Sequence, residues 1–199
     1  MSLLFETIRF CDGVPQHAGW HERRMNRSRL ETRPGADMLH IGEVFKVPPE
    51  FGHGEARCNI VYDSEIREIT FSRYEKRSIR SLKLVPCDTI DYHLKFSDRR
   101  RLETLLSLRG NCDDIIIVKN GLLTDTSFSN ILLFDGVRWI TPATPLLPGT
   151  CRERLLSEGK ITEGEITPEE LERFSGVKLI NALREPSEEM MIPISQIFR

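Results

Sequence analysis

No stretch of this sequence approaches the roughly 18–20 consecutive apolar residues that cross a bilayer, so no membrane partner is expected. Cysteine is scarce: Cys11, Cys58, Cys87, Cys112 and Cys151 are odd in number, widely spread and form no CxxC. That pattern argues against a disulfide framework or a zinc site and for a reducing compartment. An excess of one charge is missing too. With 28 basic against 30 acidic residues the net charge is −2, and no strong field draws the chain to nucleic acid. The opening MSLLFETIRF meets an acid and a base too early for a secretory signal, so a cytoplasmic protein is expected.

Several catalytic motifs are also missing. Gly149 is followed by Thr-Cys-Arg, with no Gly-Lys-Ser/Thr, so this is not a Walker loop. There is no GxSxG, the five histidines have no evident nucleophile partner, and metal-ligand spacing is absent. Neither internal repeats nor low-complexity segments occur.

What is present is an ordinary globular composition, 39% hydrophobic and 29% charged, in 199 residues. That length holds one sizeable domain or two small α/β lobes. Asp12-Gly13, Asn120-Gly121 and Asp135-Gly136 each mark a hairpin. ARCNIVYD and EIREITFSRY form a further pair of strands with Ser64 near the turn. Helices are expected in GWHERRMNRSRLE, in SDRRRLETLLSLRG with Ser97 or Asp98 as N-cap, in GTCRERLLSEG and in TPEELERFSG. SLKLVPC reads as a strand and CDTIDY as a crossing between lobes, which puts the boundary near residues 87–92. The expected domains are therefore 1–88, a small sheet-plus-helix lobe, and 89–199, a larger mixed-sheet lobe.

Four features carry chemistry. His21, Arg24, Met25 and Ser28 share one helix face, and an arginine turned inward there needs an anion, which a bidentate phosphate contact would supply. The alternative is a solvated basic face formed with Arg23, Arg27, Arg29 and Arg33; these lack the interleaved aromatics of an RNA site. Lys95 is one of seven lysines, most of which are expected to be surface charges. It stands out between Leu94 and Phe96, ahead of a helix at the lobe junction, where apolar neighbours would lower its pKa. Asp125 lies in an otherwise apolar hairpin, either as a turn residue or as a fixed negative charge wanting a cation. Leu-Pro-Gly-Thr at 147–150 opens a helix whose first amides can seat an anion. A fixed acid plus an anion seat suits a ligand with a cationic ring nitrogen and a phosphate, and pyridoxal 5′-phosphate is such a ligand.

Together these residues resemble the class IV aminotransferases of fold type IV, a pyridoxal-phosphate family that includes branched-chain and D-amino-acid aminotransferases and 4-amino-4-deoxychorismate lyase. The family's His-x-x-Arg-Leu-x-x-Ser helix stands here as HERRMNRS, and its lysine before a polar helix start as HLKFSDRR. Its Thr-Glu-x-x-x-x-Asn hairpin stands as TDTSFSN, its Thr-Pro as Thr141-Pro142, and its Leu-Pro-Gly-Ile-Thr-Arg as LPGTCR. The resemblance implies a two-lobed α/β fold of the α+β type, with the cofactor in the cleft between lobes. Lys95 would be the Schiff-base lysine and proton carrier, with Arg24, Thr150 and Cys151 holding the phosphate. Asp125 would sit at the ring nitrogen, and Asn130 fits the motif's asparagine among the cofactor-binding residues. A homodimer acting on a small-molecule amino substrate is implied by the same likeness.

Three departures bear on the substrate. The family glutamate is the shorter Asp125, Arg100 stands five after Lys95 where transaminases often carry tyrosine, and the first lobe is short. Asn181-Ala182-Leu183 looks like the lyase branch, so release of pyruvate and 4-aminobenzoate is expected. A class IV transaminase of a branched-chain or D-amino acid is the alternative. A non-catalytic relative is the third reading, against which the retention of Lys95 and Asp125 speaks. Arg57 and Asn181 are candidate substrate contacts, Arg57 otherwise being a strand-exposed arginine, and His93 is a packed or solvated neighbour of Lys95.

Overall fold

The computed structural model describes residues 2–199 and divides the chain into two compact units. The first comprises the N-terminal part through Lys76 together with Leu94–Asp98; the second comprises Arg77–His93 and Arg99–Arg199. Against the expected boundary at 88/89, residues 77–93 pack with the second unit and the Lys95 segment with the first.

In the first unit, β1 (Leu4–Cys11), β2 (Val14–Pro15), β3 (Glu55–Tyr62) and β4 (Ile66–Arg73) make an antiparallel sheet in the order β2-β1-β3-β4. Asp12 and Gly13 both take positive φ, 49° and 75°, the conformation that a tight Asp-Gly hairpin requires. Alternation along β1 buries Leu4, Ile8 and Phe10, which pack with Met25 of helix α1 (Ala18–Thr32) and with Cys58, Ile60 and Tyr62 of β3. Each such fully buried side chain contributes about 1.5–3 kcal/mol by leaving water.

The second unit is a mixed sheet built from β5 (Leu82–Pro86), β6 (Asp114–Lys119), β7 (Leu122–Thr126), β8 (Asn130–Phe134), β9 (Trp139–Pro142), β10 (Thr162–Gly164), β11 (Gly176–Ile180), β12 (Ile192–Pro193) and β13 (Ile197–Phe198). Its main path runs β10-β9-β8-β7-β6-β5-β13, and β11 pairs with β8 and β12. Pairing of β5 with β6 is parallel and that of β6 with β7 antiparallel. DIIIVK of β6 is buried through five of its six residues, as a strand covered on both faces must be.

Helices α2 (Arg100–Leu106) and α3 (Thr150–Ser157) lie in this unit. Neither Ser97 nor Asp98 caps α2; Arg99 holds the N-cap position, without a side-chain cap. The physical reason is that Ser97 is drawn out along β1, its N–H donating to Leu3 O at 2.8 Å. TPEELERFSG forms a 3-10 helix, Pro168–Arg173, rather than an α-helix. Among the described residues no helix is long and apolar enough to cross a membrane.

Candidate active site

Lys95 sits on a short extended segment laid antiparallel to the open end of the β1 edge. Phe5 N–H donates to Lys95 O at 2.9 Å, and Leu4 stands opposite Phe96. Strand alternation then decides the side chains. Leu94 and Phe96 join the core of the first unit, so Lys95 points to the other face, where its Nζ lies 4.4 Å from the centre of the Phe5 ring. The sequence reading counted Leu94 and Phe96 as desolvating neighbours. They are instead anchors on the opposite face, and the aromatic beside the ammonium is Phe5.

The face His21-Arg24-Met25-Ser28 is buried, as its spacing predicts. The five arginines of α1 and its end split: Arg24 and Arg29 are buried, whereas Arg23, Arg27 and Arg33 are exposed. Arg24 does have an anion. Its Nε donates to Glu6 Oε1 at 2.9 Å and its Nη2 to Glu6 Oε2 at 2.5 Å, while His21 Nδ1 meets Oε2 at 2.7 Å. Burial alone would raise the Glu6 pKa, but the Arg24 charge and the hydrogen bonds from His21 and Arg24 outweigh it and hold the carboxyl at about 2. Burial lowers the His21 pKa against the pull of Glu6, so the imidazole is neutral near pH 7 and donates from Nδ1. Sequence reasoning missed Glu6, although LFETIRF carries the signal: its acid falls in phase with Leu4, Ile8 and Phe10.

Arg57 stands directly across from Arg9 in the β1–β3 register, on the face that carries the hydrogen-bonded Thr7 and Asn59. Arg9 is paired with Glu55, and Arg57 Nε donates to Ser72 Oγ at 3.2 Å. Like charges opposed across a strand pair repel, and an anion near them relieves the cost.

In the second unit, Asp125 of β7 faces Asn130 of β8 across the hairpin. Its Oδ1 accepts from Asn130 Nδ2 at 2.8 Å and its Oδ2 from Leu147 N at 2.9 Å. Asp125 is 5% exposed. Burial is the largest influence and pushes its pKa up to about 6, against the downward pull of the Leu147 amide, the Asn130 amide and the charge of Arg152. Arg152 itself is engaged by Pro142 O and Glu163. Asn181, the other candidate substrate contact, braces the hairpin: its Nδ2 donates to Ser129 Oγ at 2.8 Å and its Oδ1 accepts from Leu183 N at 2.8 Å.

Gly149 is the N-cap of α3, and the first helical bond runs from Glu153 N to Gly149 O at 2.9 Å. The amides of Thr150 and Cys151 thus precede any intrahelical acceptor and point along the positive end of the helix. Burial pushes the Cys151 thiol up to about 12, so its sulfur is no nucleophile at neutral pH. His93 is exposed and paired with Asp91 at 2.5 Å; both line a cavity of about 240 Å³ with Lys119, Asn120 and Thr144. No group of three or more His, Cys, Asp or Glu side chains fit to hold a metal occurs among the described residues.

A family model described as amino-transferase class IV matches residues 100–197. A relative from Haemophilus influenzae, an uncharacterized protein, is 39% identical over 182 residues, covering 90% of this chain and 97% of its own. The crystal structure of a proposed 4-amino-4-deoxychorismate lyase from Haemophilus somnus is 34% identical with a TM-score of 0.82, covering 92% of this chain and 96% of that one. A hypothetical aminotransferase from Mycobacterium tuberculosis, solved in its PLP-bound form, shares the fold at a TM-score of 0.74 and 14% identity, covering 96% and 80%. The chain belongs to the class IV aminotransferases and has their fold type IV architecture. The match is to an enzyme family, and the chain is an enzyme of that class.

Proposed function

We propose that the chain binds pyridoxal 5′-phosphate and eliminates pyruvate from 4-amino-4-deoxychorismate or a close analogue. The observation that carries this reading is Asp125: a buried carboxylate held above its ordinary range, close to no cation that answers it fully. A protonated ring nitrogen is the kind of partner that would lower that cost. When bound, the cofactor supplies an electron sink for the bonds around the carbon that bears the substrate's amino group.

The chain's own residues take distinct tasks. Lys95 would hold the cofactor through its amine, and the same amine is placed to take and return the substrate's α-proton. Asp125 keeps the ring nitrogen protonated. The amides of Thr150 and Cys151, together with Arg24, would hold the phosphate. Arg57, opposed to Arg9 in the β1–β3 register, would accept a substrate carboxylate.

Arg100 in place of tyrosine, the Asn181-Ala182-Leu183 run and the likeness to the Haemophilus somnus protein favour elimination over amino transfer. Family analogy adds a homodimer. Two measurements test the reading. Purified protein mixed with pyridoxal 5′-phosphate should gain a visible absorbance band that Lys95→Ala abolishes. Pyruvate should then be released from 4-amino-4-deoxychorismate without any keto-acid acceptor. Turnover that requires an acceptor would make the chain a transaminase, and a protein that takes up no cofactor would sink the whole reading.

A further inference from the structure

We propose that Asn130 and Gly149 form one positioning device for Asp125, in which the glycine exists to leave room for the asparagine side chain. This rests on the reading of Asp125 as the ring-nitrogen acid, and it assigns Asn130 to holding that acid rather than to touching the cofactor.

Backbone freedom does not explain Gly149. Its φ of −72° and ψ of 143° are open to every L residue. Space explains it. A methyl group at this position would overlap Asn130 Oδ1 and stand 3.2 Å from Asn130 Cγ. Asn130 has nowhere to retreat, because Nδ2 donates one hydrogen to Asp125 Oδ1 at 2.8 Å and the other to Leu147 O at 2.9 Å. Both amide hydrogens are thereby spent inside the protein. Leu147 closes the triangle through its own N–H to Asp125 Oδ2 at 2.9 Å. The hairpin between the two residues is tied as well: Thr126 N–H donates to Ser129 O at 2.9 Å and Ser129 N–H to Thr126 Oγ1 at 3.0 Å. A side chain at 149 therefore acts on Asp125 through Asn130, two bonded contacts away.

The test is a double-mutant cycle read in two ways. Asn130→Ala, Gly149→Ala and the double variant are melted without cofactor, and their dissociation constants for pyridoxal 5′-phosphate are measured by absorbance from pH 5 to 8. Each single change should weaken cofactor binding about tenfold or more, equivalent to at least about 1.4 kcal/mol. The double variant should be no weaker than the worse single, because removing Asn130 removes the clash. In the melts, the double variant should unfold above Gly149→Ala alone. Asn130→Ala should also move the pH midpoint of the cofactor's absorbance, which loss of stability alone would not do.

Multiplying effects in the double variant, or an unmoved midpoint, overturns the proposal. If Gly149→Ala does not fold, the double variant decides: recovered soluble protein supports the coupling and insoluble protein overturns it. A wild-type protein that binds no cofactor while the melts still show rescue would leave the glycine–asparagine coupling standing. It would remove the reading of Asp125 and, with it, the positioning role.

Discussion

Glu6 and Asp125 are two buried carboxylates whose chemistry runs in opposite directions. Glu6, in the first unit, is fully buried, yet its carboxyl is held at about 2 because Arg24 and His21 close on it from α1. Asp125, in the second unit, is held by two neutral amides and is pushed up to about 6. Burial is the same; the cation is not. A carboxylate whose charge is answered by a directly bonded cation serves the fold, whereas one bonded to amides, with Arg152 acting only through its field, retains an attraction for a cation from outside. On the proposed role of Asp125, the contrast separates an acid that serves the fold from one that serves a ligand.

The largest expected effect breaks the first half of that comparison. Glu6→Gln leaves Arg24 buried without its anion and should cost about 3–5 kcal/mol in chemical denaturation. A loss below about 1 kcal/mol would mean that Glu6 is no structural partner and that the contrast with Asp125 fails.

Titration in the cofactor-free protein sharpens both halves at once. The Glu6 pKa is lowered from 4.5, so its contribution is present above pH 4.5 and is lost as the pH falls towards 2, about 3 kcal/mol in all. The Asp125 pKa is raised from 3.8, so stability is greatest below that value and falls as the pH rises through about 6, again by about 3 kcal/mol. Stability should therefore pass through a maximum between the two limbs. Asp125→Asn should flatten the upper limb only, and a limb that persists in this variant would assign it to another group.

A smaller effect checks that the orientation of Asp125 depends on its hairpin. Asn181→Ala removes the bond to Ser129 Oγ and should lower stability by about 1 kcal/mol. Cofactor affinity should fall by less than in Asn130→Ala, because Asn181 touches the hairpin and not the acid.

Much of this was legible in the residues. The Asx-Gly pairs placed the hairpins, and the i, i+3, i+4, i+7 spacing buried the right face of α1. Asp125, Asn130 and the helix start at Thr150 were legible as a group because they lie within one short stretch and are brought together by local turns. What escaped was set by pairing across long stretches of chain. The phase of Glu6 with Leu4, Ile8 and Phe10 marks it as inward, but its partners Arg24 and His21 come from α1. The side of the strand on which Lys95 lies depends on its pairing with Phe5, which no local pattern encodes. The bond from Asn181 to Ser129 across the hairpin likewise joins residues far apart in the chain.

The segment Leu94–Asp98 carries a final consequence. It packs with the first unit, yet the chain on both sides of it belongs to the second. A gene fragment ending at residue 76 would leave Leu3–Phe5 as a bare strand edge and strip Leu94 from the core, a recipe for aggregation rather than for a free-standing domain. Cutting the chain after residue 76 therefore parts the first unit from Lys95 and from the Leu94 and Phe96 side chains that anchor it.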